Sequence, residues 1–263
     1  MRETEQEALS KVVLVVEYEG ARYHGFQAQP GLLTIQGELE SALYELTGDS
    51  VHVVGAGRTD AGVHAQGQVV GFRTGSDLSP KRFVSGLNYY LPEDIAVKSA
   101  HRVRSDFDVR RDACSREYRY TILNRRTRSP LRRKRAYLVT SPLDVGAMKE
   151  ACHVLIGDHD FSPFFGSTGG KAFNPIRTVY KADVSKKGDL VTFDMMANSF
   201  LPHQVRRTAG ALIEVGRGKV AVEEFWGVAR SKERGVAGPA APAYGLCLVR
   251  VNYPNSETWE RCE

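Results

Sequence analysis

VVGAGRTDAGVHAQGQVVGF (residues 53–72) opens as a short β-branched run feeding three closely spaced glycines, Gly55, Gly57 and Gly62. If a helix followed, this would be the strand-and-glycine entry of a dinucleotide-binding fold, and Asp77, twenty residues past Gly57, would stand where the ribose-binding acid belongs. Two features oppose that reading. Asp60 occupies the place of the motif's third glycine, where a carboxylate would repel a pyrophosphate. The following residues, GVHAQGQVV (62–70), carry two glycines and then alternate like a strand, so no helix N-terminus is offered to a phosphate. Gly-Lys-Ser/Thr is also absent, which excludes a P-loop. The stretch therefore reads as strand, loop, strand, with Arg58 and Asp60 displayed on the loop. From spacing alone, an Asp60 that only caps the turn is an equal reading.

The surrounding pattern fits a strand on each side. Residues 11–20 (KVVLVVEYEG) read as a buried strand, and Thr34 then caps a helical stripe of Ile35, Leu39, Leu43 and Leu46 closed by Gly48. Residues 51–55 and 68–73 read as strands, Ser79-Pro80 starts a helix carrying Phe83, Val84, Leu87 and Leu91, and residues 95–103 form a fourth strand. The order β-α-β-β-α-β then repeats. Residues 116–123 read as a strand. Ser141-Pro142 opens a helix with Val145, Met148, Cys152 and Leu155, ended by Gly157. Residues 176–186 and 189–196 form a hairpin across Lys187-Gly188, Pro202 opens a helix with Val205, Ala209, Leu212 and Ile213, and residues 246–253 close the chain. Two such runs predict an α+β protein of two ferredoxin-like halves, residues 11–104 and 114–253, with a fused, mainly antiparallel sheet flanked by helices. No Gly/Ser/Pro-rich linker lies between the halves. Loops at 157–175 and 231–245 are long enough to be functional or mobile.

Composition narrows the class. The chain has 263 residues, 42% apolar and 25% charged, enough for a sizeable core. The N-terminal MRETEQEALSK is polar and acidic, unlike a signal peptide, and no apolar run is long enough for a membrane span, so a cytoplasmic protein is expected. Cys114, Cys152, Cys247 and Cys262 lie far apart without a CxxC pair, which argues against a cysteine zinc site and for a reduced compartment. Cys152-His153 with His159 and Asp160 is a conceivable ligand set, but Cys152 fits the apolar face of its helix better, and no metal is expected. Charge is uneven: residues 102–135 hold 13 Lys/Arg and 4 Asp/Glu, a local +9 against +5 for the whole chain. Within them NRRTRSPLRRKR (124–135) has seven basic residues and no acid. This is either a solvated loop or a surface for a polyanion, where clustered arginines gain affinity by displacing phosphate counterions.

GAGRTDAGVHAQGQVVGF resembles the catalytic motif of the tRNA pseudouridine synthase A family. The likeness continues through YEGARYHGFQAQPGLLTIQGELESAL (18–43), SREYRYTILN (115–124), GDHDFSPF (157–164), IRTVYKADV (176–184), ANSFLPHQVRRTAGALIEVGRGK (197–219) and APAYGLCLVRVNY (241–253). It thus spans residues 11 to 253 nearly throughout. The resemblance implies conversion of uridine to pseudouridine in the anticodon stem-loop of tRNAs, at tRNA positions 38–40, with no cofactor. It also implies a homodimer in which one tRNA contacts both subunits, and no membrane.

Residue by residue, the resemblance makes Asp60 the catalytic aspartate and Arg206 the arginine that pairs with it and keeps it ionised. A carboxylate suits the reaction because it can attack covalently or steady positive charge on the sugar. Whether it attacks C1′ or C6, or first abstracts a sugar proton, stays open. Tyr118 matches the tyrosine that packs on the target base, and strand alternation leaves Tyr120, on the same face, as its rival. Leu246 matches the apolar residue lining the base pocket, and Arg58 matches a loop arginine expected to help prise the base from its stack. The sequence departs from the family pattern at Gln204, where a bulky apolar residue is usual, and at Arg207, where a small polar one is expected. Other classes are less well served. REYRYTIL does not supply the aromatic pattern of an RNA-recognition domain, and the nicotinamide-binding reading fails on the residues after Gly62.

Overall fold

The computed structural model describes residues 9–166 and 174–254. Residues 1–8 of the acidic N-terminus, loop residues 167–173 and Cys262 lie outside the described residues. The chain divides into two compact units, residues 1–114 with 250–263, and residues 115–249.

The first unit contains β1 (Ser10–Tyr18), α1 (Ile35–Thr47), β2 (Val54–Gly55), β3 (His64–Thr74), α2 (Pro80–Tyr90) and β4 (Ile95–Val103). β1 lies between β3 and β4 and runs antiparallel to both, while β2 pairs antiparallel with β3. Local sequence sets the helix ends. Thr34 Oγ1 accepts from Gly37 N, and Gly48 closes α1 in the left-handed conformation at φ +76°. Ser79 caps α2 with Pro80 in its first turn. Central β1 buries Val12, Val13, Leu14 and Val16 completely, and Leu39 and Leu43 of α1 and Phe83 and Leu87 of α2 are equally buried. Phe83 meets Phe72 of β3 edge to face at 5.8 Å.

The second unit contains β5 (Ser115–Asn124), β6 (Tyr137–Val139), α3 (Val145–Cys152), β7 (Gly157–Asp160), β8 (Ile176–Lys187), β9 (Leu190–Ala197), α4 (Gln204–Gly216) and α5 (Val222–Arg230). β9 lies between β5 and β8, antiparallel to both; β7 pairs antiparallel with β8, and β6 runs parallel to the end of β5. The last strand, β10 (Leu246–Asn252), begins in this unit and ends in the first.

Four expectations need correction. The strand expected at 51–55 shrinks to Val54–Gly55, because Val53 N donates to Glu40 Oε1 of α1 (2.9 Å) instead of to a neighbouring strand. The helix expected from Ser141-Pro142 starts at Val145 with Asp144 as its cap. Asn124 Nδ2 holds the carbonyls of Val139 and Ser141 (3.0 and 2.7 Å) and keeps that segment beside β5. α4 starts two residues after Pro202, because Leu201 and Gln204 first close a turn, with His203 at φ +62°. α5, β6 and β7 were not anticipated. α5 carries helix signals, with Glu223 and Glu224 in its first turn, Arg230 in its last, and Phe225 and Ala229 buried four apart.

Candidate active site

In the first unit the chain leaves β2, crosses residues 56–63 and enters β3, so no helix follows the glycines of the opening stretch. Gly55 serves packing rather than phosphate: a Cβ there would lie 2.6 Å from the Phe26 ring. The 56–63 loop is fastened from three sides. Ala56 N donates to Val69 O of β3 (2.8 Å), Phe26 N to Thr59 O (3.1 Å), and Gly62 N to Tyr23 O (3.2 Å). Beneath it lies a buried polar network. Thr59 Oγ1 and Tyr18 Oη are 2.8 Å apart, and Gln68, fully buried on β3, donates through Nε2 to Gly57 O (2.7 Å) and to Tyr18 Oη (3.4 Å). Val63 N closes the turn onto Asp60 O at 3.1 Å. The loop backbone is thereby fixed with Asp60 half-buried and Arg58 exposed, the rigid support that a positioned carboxylate requires. Replacing Gln68 by Leu leaves Gly57 O without this donor and is expected to cost about 1–3 kcal/mol in urea unfolding. Unchanged stability would mean that the network does not hold the loop.

The second unit carries Tyr118 on β5, Arg206 on α4 and Leu246 at the start of β10. Tyr118 on β5 is 7% exposed, and its ring meets Phe200 edge to face at 5.1 Å. Tyr120, two residues on, is fully buried, donates from its hydroxyl to Pro242 O (2.9 Å), and would lie 2.6 Å from a Cβ at Gly245. Burial holds its phenol well above the ordinary tyrosine value, so Tyr120 is committed to the core. Arg206, half-buried on α4, is stapled to Ala241 twice: its Nε donates to Ala241 O (2.9 Å) and its carbonyl accepts from Ala241 N (2.9 Å). Arg206 and Tyr120 thus donate to the carbonyls of the adjacent residues Ala241 and Pro242. Leu246, 5% exposed, follows directly after Gly245.

Two comparisons bear on this arrangement. A family model described as tRNA pseudouridine synthase matches residues 14–112 and 151–254. This chain belongs to the tRNA pseudouridine synthase family. It is accordingly an isomerase. Among curated relatives, tRNA pseudouridine synthase A of Myxococcus xanthus is 46% identical over 246 residues, covering 93% of this chain and 92% of the relative. Proteins of the same name from Legionella pneumophila (strain Corby) and Thermoanaerobacter sp. (strain X514) are 43% and 40% identical. The alignments cover 93% of this chain in both cases, and 93% and 100% of the relatives.

Family membership gives the two departures on α4 a context, and the structure explains them. Arg207 Nη1 donates to Gly235 O (3.2 Å) and Gly238 O (2.8 Å), clipping the 231–245 segment to α4. The same segment is bonded through Gly235 N to Ser162 O and Ala237 N to Pro163 O, both 3.1 Å. Gln204 is fully buried and turns its Oε1 to Leu201 N (2.8 Å), fixing the turn that leads into α4. Neither residue displaces Arg206. The conceivable ligand set around Cys152 is otherwise employed. Cys152 is buried, burial pushes its thiol up to about 12, and its sulfur faces Lys149 O at 3.1 Å. His159 Nε2 meets Ile156 O (2.8 Å), and Asp160 Oδ1 accepts from Ser162 N (2.8 Å). Among the described residues no three His, Cys, Asp or Glu side chains are grouped to hold a metal, and no helix is long and apolar enough to cross a membrane. Sequence reading missed the Tyr18–Thr59–Gln68 network. Its members lie on β1, on the loop and on β3, so no local pattern joins them.

Proposed function

We propose that this protein converts uridine to pseudouridine in the anticodon stem-loop of tRNAs, at tRNA positions 38–40, with Asp60 as the catalytic nucleophile. The observation that carries the reading is the RTDAGVHA loop, held by main-chain and buried side-chain hydrogen bonds with its aspartate half-buried. The reaction breaks the N1–C1′ bond, rotates the uracil and joins C5 to C1′. The C5 hydrogen leaves as a proton and N1 gains one, so nothing is oxidised, hydrolysed or transferred and no cofactor is required. Arg206 is the guanidinium that keeps the carboxylate ionised, Tyr118 stacks on the base, Leu246 lines its pocket, and Arg58 helps displace it from its stack. The family match and the 40–46% identity to proteins named tRNA pseudouridine synthase A support this reading.

In the same proposal the two βαββαβ runs, residues 11–104 and 114–253, are ferredoxin-like halves, and the enzyme is a cytoplasmic homodimer whose tRNA contacts both subunits. Release of tritium from tRNA labelled at uracil C5 tests the reaction directly, because C5 loses its hydrogen only when it becomes the glycosidic carbon. Release by the wild type is expected; its absence from tRNA that binds would leave only an RNA-binding protein. The 124–135 run is assigned to tRNA phosphates: Arg132, Arg133 and Lys134 are exposed beside Leu131 at the loop's tip. Replacing Arg132, Arg133 and Arg135 together by Gln should weaken tRNA binding and flatten its log–log salt slope by about 0.7–0.9 for each phosphate no longer neutralised. An unchanged slope would make the loop a bystander.

A further inference from the structure

On the catalytic loop's Arg58, and wholly within the first unit, lies a cleft of about 210 Å³ whose other lining residues have no role assigned above. Its walls include Phe26, Gln36, His52, the Val53–Gly55 backbone, Arg58 and Arg110. It is smaller than the roughly 300 Å³ at which pockets for drug-sized ligands begin, and has room for a single small group. Its polar floor is built. Gln36, 5% exposed, accepts from Ala28 N (2.9 Å) and donates to Glu40 Oε1 (2.7 Å), which fixes its amide. The Glu40 carboxylate outside the lining accepts from Val53 N (2.9 Å) and Gln36, and the His52 ring nitrogen lies 3.1 Å from it. Two guanidiniums, Arg58 and Arg110, both on exposed residues, line the cleft, and Arg110 belongs to the stretch with a local charge of +9.

We propose that this cleft holds a backbone phosphate of the substrate RNA within two nucleotides of the target uridine, gripped by Arg58 and Arg110. Arginine forks match phosphate oxygens in geometry as well as charge. Arg58 is two residues from Asp60, so their Cα atoms are at most about 7 Å apart, and a phosphate on Arg58 belongs to a near neighbour of the nucleotide facing Asp60. The assignment rests on the uridine-isomerase reading and deepens it. A nucleotide swung out of its stack rotates about its backbone, and a clamped flanking phosphate supplies the fixed point for that rotation.

The test uses a stem-loop RNA carrying one neutral methylphosphonate linkage at a time, with dissociation constants measured over a range of salt. Arg110→Gln is expected to weaken binding about tenfold and to lower the log–log salt slope by about 0.7, with its melting temperature unchanged; Arg110→Lys should regain most of the affinity. One methylphosphonate within two nucleotides of the target should weaken wild-type binding by a similar factor, and should cost clearly less in Arg110→Gln, where Arg58 alone faces that phosphate. A wild type indifferent to every flanking linkage, or an Arg110→Gln protein with the wild-type affinity and slope, overturns the proposal. Tritium release is scored separately: the expected binding pattern without release would support the phosphate site and sink the isomerase reading alone.

Discussion

Asp60→Ala is expected to lower tritium release from C5-labelled tRNA by at least about a thousandfold while leaving tRNA affinity within a few fold. The size follows from the role: removing a nucleophile deletes the covalent route, and losses of about 10³ to 10⁶ in kcat accompany such deletions. The fold should survive. The turn that carries Asp60 is closed by its carbonyl, which accepts from Val63 N, and alanine keeps that bond. The loop's other fastenings, at Ala56, Gly57, Thr59 and Gly62, do not pass through the Asp60 side chain. Asp60→Asn, close in size, should be equally inactive. A variant that unfolds would recast Asp60 as a turn cap, and one that retains a tenth of the activity would remove it from the chemistry.

The second large effect is predicted at Gly20, outside the 53–72 stretch in sequence but packed against it. A Cβ on Gly20 would lie 1.9 Å from Val63 O and 2.6 Å from Val63 C, both main-chain atoms that cannot rotate away. Gly20 N also donates to His64 Nδ1 (3.0 Å), so the two strands of chain are bonded at the same point. Gly20→Ala must push residues 63–64 outward, and Val63 is three residues beyond Asp60. Overpacking of this kind costs about 1–3 kcal/mol, and displacing a catalytic group by about 1 Å can cost a hundredfold in rate. A melting temperature lower by about 5 °C and a kcat lower by about a hundredfold are expected. Gly227→Ala is the control: α5 leaves open space there, and the substitution should stabilise by about 0.5–1 kcal/mol. Wild-type melting and turnover in Gly20→Ala would show that the loop absorbs the methyl.

What the sequence made legible were features whose cause is local. Thr34 and Gly48 bound α1, Ser79-Pro80 starts α2, and Ile95–Val103 is the strand that alternation indicated, because cap, proline and period act within a few residues. The misplaced ends trace to partners distant in the chain: Glu40 takes the Val53 amide, and Asn124 holds Ser141. The site shows the same division. Asp60 is conspicuous because its motif is continuous, whereas Tyr118 and Tyr120 share a face, and only Pro242 and Gly245, more than 120 residues away, show that Tyr120 belongs to the core. Tyr18, Thr59 and Gln68 meet only after β1 and β3 pair, so no local pattern announces them.

The final strand has a consequence for how the molecule comes into being. The amino-terminal unit is completed by residues from the far end of the chain: Cys114 N donates to Asn252 O (2.8 Å), and the Tyr253 hydroxyl donates to Val109 O. Between them lie the 135 residues of Ser115–Val249. At about 5–20 residues per second a ribosome needs roughly 7–27 seconds to make that stretch. Until then the nascent amino-terminal unit lacks its last partners, and its closure waits on contacts of very long sequence separation, the kind that form slowly. The segment bearing Asp60 is thus made early, inside a unit that only residues 250–253, made much later, can finish.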